Sequence, residues 1–242
     1  MSSVNATVAT LSRDEIPVLL RGEAGPASEW VREWRAPRVL LYLAVIVAGA
    51  GLFGAAIGCW RAPLQGIYSA IKFPLVVLLT ALGNALLNSM LAPLLGLNLN
   101  LRQSLLAVLM SFTIAAAILG AFSPLMFFII WNTPPLVPGA PISTTAHSFI
   151  LVTEVAIIAL AGIAANLRLL QLLQILSGSE SVARRVMVAW LAMNLLLGSQ
   201  LSWNLRPFVG SPFLPVEFLR ADAFAGSFFE SVFRAVVRLF ST

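Results

Sequence analysis

The sequence predicts an all-α integral membrane bundle of about five transmembrane helices, with an interfacial amphipathic helix at each end. Three observations carry this. Of 242 residues, 59% are hydrophobic and only 10% charged, whereas soluble domains carry about 25% charged residues. A soluble fold could not cover so large an apolar content with so few charges. Long uncharged runs are present, and each is about as long as the roughly 20-residue helix needed to cross a bilayer. The charges collect at the ends of these runs, where headgroups would meet them.

Taken in order, residues 1–38 form the first unit. Residues 1–27 mix charges with Pro and Gly and are expected to be mobile or loosely attached. "SEWVREWR" (28–35) follows. Ser28 is a candidate N-cap, and Trp30 and Trp34 share a face at i, i+4. This predicts one or two helical turns in the membrane interface, where Trp is enriched.

The second unit, 39–205, holds five apolar segments: Val39 to Trp60, Phe73 to Leu95, Leu105 to Trp131, Thr145 to about Leu169 with a possible extension to Leu176, and Val186 to Leu205. Pro124 is expected to bend or break the third. "RAPLQGIYSAIK" (61–72) reads as an interfacial half-helix, "GLNLNLRQ" (96–103) as a tight polar turn and "SGSESVARR" (177–185) as a flexible link. "NTPPLVPGAP" (132–141) is too rich in proline to be helical. Trp60, Trp131 and Trp203, with Trp30 and Trp34, are expected to act as interface anchors.

Basic residues beside the spans set the orientation. With the N-terminus inside, the cytoplasmic segments hold Arg32, Arg35, Arg38, Arg102, Arg168, Arg184 and Arg185, against Arg61 and Lys72 outside. That favours a cytoplasmic N-terminus. The tail's Arg206, Arg220, Arg234 and Arg238 pull the other way. Arg-, Ala- and Leu-rich usage points to a bacterial inner or plasma membrane.

The third unit, 206–242, opens with a proline turn. Trp203 and Arg206 mark the exit of the fifth span, and Pro207, "GSP" (210–212) and Pro215 redirect the chain. In "DAFAGSFFESVFRAVVRLF" (222–240), Phe224, Phe228, Val232, Phe233, Val236 and Phe240 recur at helical spacing. Ser227, Glu230, Ser231, Arg234 and Arg238 form the opposite stripe. An amphipathic surface helix is expected.

Catalytic motifs are absent. There is no P-loop, dinucleotide fingerprint, HExxH or GxSxG. His147 is the only histidine and Cys59 the only cysteine, so neither a His-based metal site nor a disulfide is expected. The scattered basic residues do not form a nucleic-acid footprint. The reading is therefore non-enzymatic, without cofactor or metal. Its partners would be the lipid bilayer and either a second copy or a larger membrane complex.

Two features remain. Ala50, Gly54 and Gly58 recur every four residues in the first span and provide a close-packing face. Glu154 is the only acidic residue inside any span, and an intramembrane carboxyl is by default a functional hypothesis with a partner to be found. Glu154 lies nine residues past Thr145, roughly 13 Å along the helix. Thr80 and Asn84, with Asn88 on the same face, and Asn194, Ser199 and Gln200 fall at comparable depth. His147 sits two turns above Glu154. These residues are expected to converge on a polar crevice, with Arg206 folded back as a candidate partner for Glu154. The alternative is that Glu154 is protonated, or hydrogen-bonded to neighbouring polar side chains as structural glue.

Residues 63–105, "PLQGIYSAIKFPLVVLLTALGNALLNSMLAPLLGLNLNLRQSL", resemble the Yip1-like membrane family. The likeness lies in a proline-bearing pre-helix, an apolar pair split by a short Gly-and-polar turn, and a Gln-Ser start to the next span. It implies a non-enzymatic, multi-pass protein tied to membrane organisation or trafficking. Two functional readings follow: a membrane scaffold or assembly component, and a small transporter or channel-like unit with Glu154 as its proton- or cation-binding group.

Overall fold

A computed structural model describes residues 15–134, 144–210 and 215–240. The described residues are mostly helical, with no strand among them. A helical turn at 15–21 is followed by α1 (Ala24–Arg32), α2 (Ala36–Gly58), α3 (Pro63–Leu94), α4 (Leu101–Asn132), α5 (Thr144–Ser177), α6 (Glu180–Leu205) and α7 (Phe228–Phe240). Five of these, α2 to α6, are long and apolar enough to cross a membrane, and the protein is a multi-pass membrane protein.

Local chemistry sets the helix starts. Proline stands in the first turn of α2 and of α3, where its missing N–H costs nothing. Asn100 and Gln103 form a reciprocal capping box at α4: the Gln103 N–H donates to Asn100 Oδ1 at 2.9 Å, and the Asn100 N–H to Gln103 Oε1 at 3.1 Å. Ser227 Oγ accepts from the Glu230 N–H at 3.1 Å and caps α7.

Helices α3 and α4 form the central pair. Helix α2 packs into the groove on one side of it, and α5 and α6 cover the other, on α4 and α3 respectively. Close approach of α2 depends on missing side chains. A Cβ on Gly49 would run into the Ala116 carbonyl oxygen of α4, and one on Gly54 into that of Ser69 on α3. One on Gly58 would stand 2.6 Å from Gln65 O. Ala50 between them is fully buried. The small-residue stripe thus packs α2 onto two neighbours within the chain. The outward faces of the spans carry Leu40, Met90, Phe128, Val152, Val155 and Leu195, all exposed, as lipid contact requires. Helix α6 is the least apolar span, at a mean hydropathy of 1.3 against 1.9 to 2.4 for the others.

Several local expectations are corrected. Residues 61–72 do not form a separate half-helix: α3 runs unbroken from Pro63 through Pro74. The Ala70 carbonyl that Pro74 leaves without a helical donor faces Gly51, and neighbouring helices make such prolines tolerable. Helix α4 likewise continues through Pro124. The 96–103 turn is not simply polar. Gly96 takes a φ of 96°, and Leu97 and Leu99 then point into the core while Asn98 and Asn100 face out. The supposed link at 177–185 shrinks to two residues, because α6 starts at Glu180 and its Arg184 pairs with Glu180 at 2.5 Å.

The N-terminal segment departs furthest from expectation. From residue 15 it is docked, with Leu19, Ala27 and Val31 buried against α4 and α5. Ser28 is not an N-cap: it lies inside α1 and its Oγ donates to Gly25 O at 2.7 Å. Helix α1 ends at Arg32, so Trp34 leaves the face of Trp30. The proline-rich 135–141 falls outside the described residues.

Candidate functional site

The chemistry-bearing residues resolve into three constellations rather than one crevice. The first centres on Glu154, on α5. Its side chain is 8% exposed, and its carboxyl has no hydrogen-bond or ion-pair partner among the described residues. It borders a cavity of about 350 Å³ between α3, α4, α5 and α6. Phe73, Val77, Phe112, Leu119 and Phe208 line this space, and Ser202 is the other polar side chain on it. Gly162, two turns further along α5, also borders it. A Cβ there would meet nothing within 4 Å.

The second constellation joins α3 to α6. Asn88 Nδ2 donates to Asn84 Oδ1, and Asn84 Nδ2 donates to Asn194 Oδ1 at 2.5 Å. Thr80, one turn earlier, faces Gly198. The i, i+4, i+8 spacing of Thr80, Asn84 and Asn88 does put them on one buried face. That face meets Asn194, not Glu154. Amides bonded across a helix pair in this way act as packing glue.

The third constellation is at the end of the bundle where α3 starts and α6 stops. Gln65, Ser69 and Lys72, all fully buried, face the chain as it leaves α6. Gln65 Nε2 donates to Pro207 O at 2.9 Å and Phe208 O at 3.1 Å. Ser69 Oγ donates to Phe208 O at 2.5 Å, and Lys72 Nζ to Pro207 O at 3.3 Å. The Lys72 ammonium also lies 5.1 Å from the Phe218 ring, and Phe208 packs edge-on against Phe73. Sequence reasoning missed this clamp. Its signal was three polar side chains at i, i+4, i+7 in a segment read as interfacial, where polarity needed no explanation.

Several candidate residues are placed elsewhere. Arg206 does not reach Glu154. Its guanidinium stacks on Trp203 at 3.7 Å, donates to Trp203 O at 2.6 Å and lies 3.5 Å from Asp222. The reason is local: Arg206 is the residue just past α6, and Trp203 stands one turn behind it. Gln200 is also separate, donating to Asn204 Oδ1 at 2.9 Å and accepting from the Phe228 N–H at 3.2 Å. His147 stacks on Trp60 at 5.3 Å. Trp60 is itself buried, with its indole N–H donating to Pro134 O at 3.3 Å, and is no lipid-facing anchor. Trp131 does face outward and is 90% exposed.

At the opposite end of the bundle, Arg38 and Glu15 form a shielded ion pair, and Arg38 also donates to the carbonyls of Trp30 and Glu33. Among the described residues, no cluster of three or more His, Cys, Asp or Glu suited to a metal ion occurs. Comparison of the chain with protein-family models, curated proteins and solved structures gives no match.

Proposed function

We propose that this multi-pass protein is a non-enzymatic membrane-organising or assembly component, with its N-terminus in the cytoplasm of a bacterial inner membrane. The observation that supports this reading most directly is α7. Phe229, Val232, Phe233 and Val237 are exposed along it, while its first N–H is held by Gln200 near the end of α6. The apolar face of α7 is thereby fixed at the level where the fifth span leaves the bilayer. Its occupant is the lipid interface. The Yip1-like resemblance of residues 63–105 agrees with a membrane-organising role.

A Phe233→Trp variant in liposomes tests the placement: brominated lipids should quench its fluorescence beyond that of the wild-type tryptophans. Unchanged quenching would remove the lipid-lying helix. The assembly role predicts a particle larger than one 25.9 kDa chain on extraction in mild detergent. A monomer there would count against it.

Glu154 favours a second reading, a small transporter or channel-like unit with this carboxyl as its proton- or cation-binding group. It predicts pH-driven flux in liposomes that Glu154→Gln abolishes. Normal flux in that variant, or none in the parent, would exclude transport through Glu154.

A further inference from the structure

We infer that the Glu154 cavity is a binding site for an amphiphile with one primary ammonium group on an apolar body. A glutamate more than nine-tenths buried has given up most of its hydration, and no partner among the described residues replaces it. A buried ionised group without a partner is among the most costly arrangements in a fold. The bundle had polar side chains available. It gives Asn88 a bond to Asn84 and Asn84 one to Asn194, and it sets the donors of Gln65, Ser69 and Lys72 on the 207–208 backbone. Of the two buried carboxyls among the described residues, Glu15 pairs with Arg38, and Glu154 is left facing space.

The shape of that space defines the missing partner. The cavity's volume of about 350 Å³ falls within the range of about 300–1,000 Å³ typical of small-ligand sites. Its walls are Phe, Val, Leu, Ile and Ala side chains from four elements, with Glu154 and Ser202 the only polar groups on them. Such a surface accepts hydrocarbon and offers one anionic anchor. An ammonium donates to a carboxylate in a charge-assisted hydrogen bond, roughly twice as strong as a neutral one. A fatty acid would bring a second anion, and an alcohol only a neutral donor. A bare inorganic cation would leave the apolar walls uncovered. The site thus selects the head by charge and the body by burial. This inference goes beyond the organising role and does not require transport, since a resident ligand satisfies it fully.

The test uses the full-length protein in a mild detergent, with decylamine, decanol and decanoate as probes. Binding is read by isothermal titration and by the shift in thermal midpoint. The wild type should bind decylamine at least about tenfold more tightly than decanol, and decanoate least. Glu154→Gln should abolish the preference for the amine over the alcohol. Gly162→Phe, which fills space where a Cβ meets nothing, should weaken amine and alcohol alike by a similar factor, with Glu154 intact and its own thermal midpoint preserved. Equal affinity for decylamine in wild type and Glu154→Gln would overturn the inference, because it would show detergent-phase partition alone. So would retention of full affinity in Gly162→Phe. Should Glu154→Gln fail to fold, Gly162→Phe and the probe order in the wild type decide the matter by themselves. Repeating the titration in nanodiscs with and without an aminophospholipid separates the sources: competition by that lipid identifies it as the resident amphiphile, and none leaves a free amine. Flux measurements on the same variants report separately on transport, so a binding site without flux leaves this inference standing.

Discussion

Arg38 and Glu15 lie 23 residues apart in the chain and 3.1 Å apart in space, with both side chains almost completely shielded. This pair fastens the N-terminal segment to the start of the first span. Replacing Arg38 with Met leaves Glu15 buried and unpaired, a change that costs about 3–5 kcal/mol in comparable sites. Glu15→Leu combined with Arg38→Met should recover most of that loss. Unfolding in mixed detergent micelles, compared across the single and double variants, measures both effects.

Glycine replacements in α2 and α5 should act in opposite directions. Gly49→Ala places a methyl group against the Ala116 backbone, which cannot move without shifting α4, and a loss of about 1–3 kcal/mol is expected. Gly162→Ala meets nothing and removes a poor helix former, for a gain of up to about 1 kcal/mol. Thermal midpoints in one detergent give the two signs directly.

The asparagine contact between α3 and α6 should carry a modest coupling. A double-mutant cycle on Asn84→Ala and Asn194→Ala is expected to give about 0.6 kcal/mol, rising at most to about 1.7 kcal/mol, as for other side-chain bonds between membrane helices. A coupling near zero would mean the two amides find equal partners when separated.

Arg206 and Glu154 should behave as strangers. Arg206 is held by Trp203 and Asp222, so Arg206→Gln and Glu154→Gln should add within about 0.3–0.5 kcal/mol. By contrast, Arg206→Gln and Trp203→Ala share one stacked contact and should not add. The same stability assay, run on both pairs, separates the two outcomes.

Gln65→Leu should loosen the clamp. It removes one of two donors from each of the Pro207 and Phe208 carbonyls, which keep Lys72 and Ser69, so a loss of about 0.5–1.5 kcal/mol, that of an ordinary hydrogen bond, is expected. Hydrogen exchange and limited proteolysis should report faster opening in the segment after α6, with the Asn84 region unchanged.

The sequence made the spans legible because lipid imposes a coarse rule that every stretch obeys independently. Five apolar runs had to be five helices, and α2 to α6 are those helices. The Gly54 and Gly58 face was legible for a similar reason: close backbone approach needs small side chains whatever the neighbour is. The site was not legible in the same way. Depth along the membrane says nothing about azimuth, and α3 turns its asparagines to α6 while Glu154 faces a separate cavity. The Gln65, Ser69 and Lys72 clamp was hidden because its acceptors are backbone carbonyls, which have no residue-type signature. The docking of residues 15–32 was hidden because a charged, proline-containing stretch has the composition of a loose tail until Arg38 is seen to hold it.

The clamp also fixes an order of events in the making of the protein. Its donors sit on the second span, and its acceptors follow the fifth, 135 to 143 residues later. At about 5–20 residues per second, a ribosome needs about seven to thirty seconds to supply them. Throughout that interval the Lys72 ammonium and the Gln65 amide are in the growing chain without their final partners. They must be kept near water or headgroups, so the second span enters the bilayer before its own end can be sealed. A stretch made only after the fifth span is what completes the second.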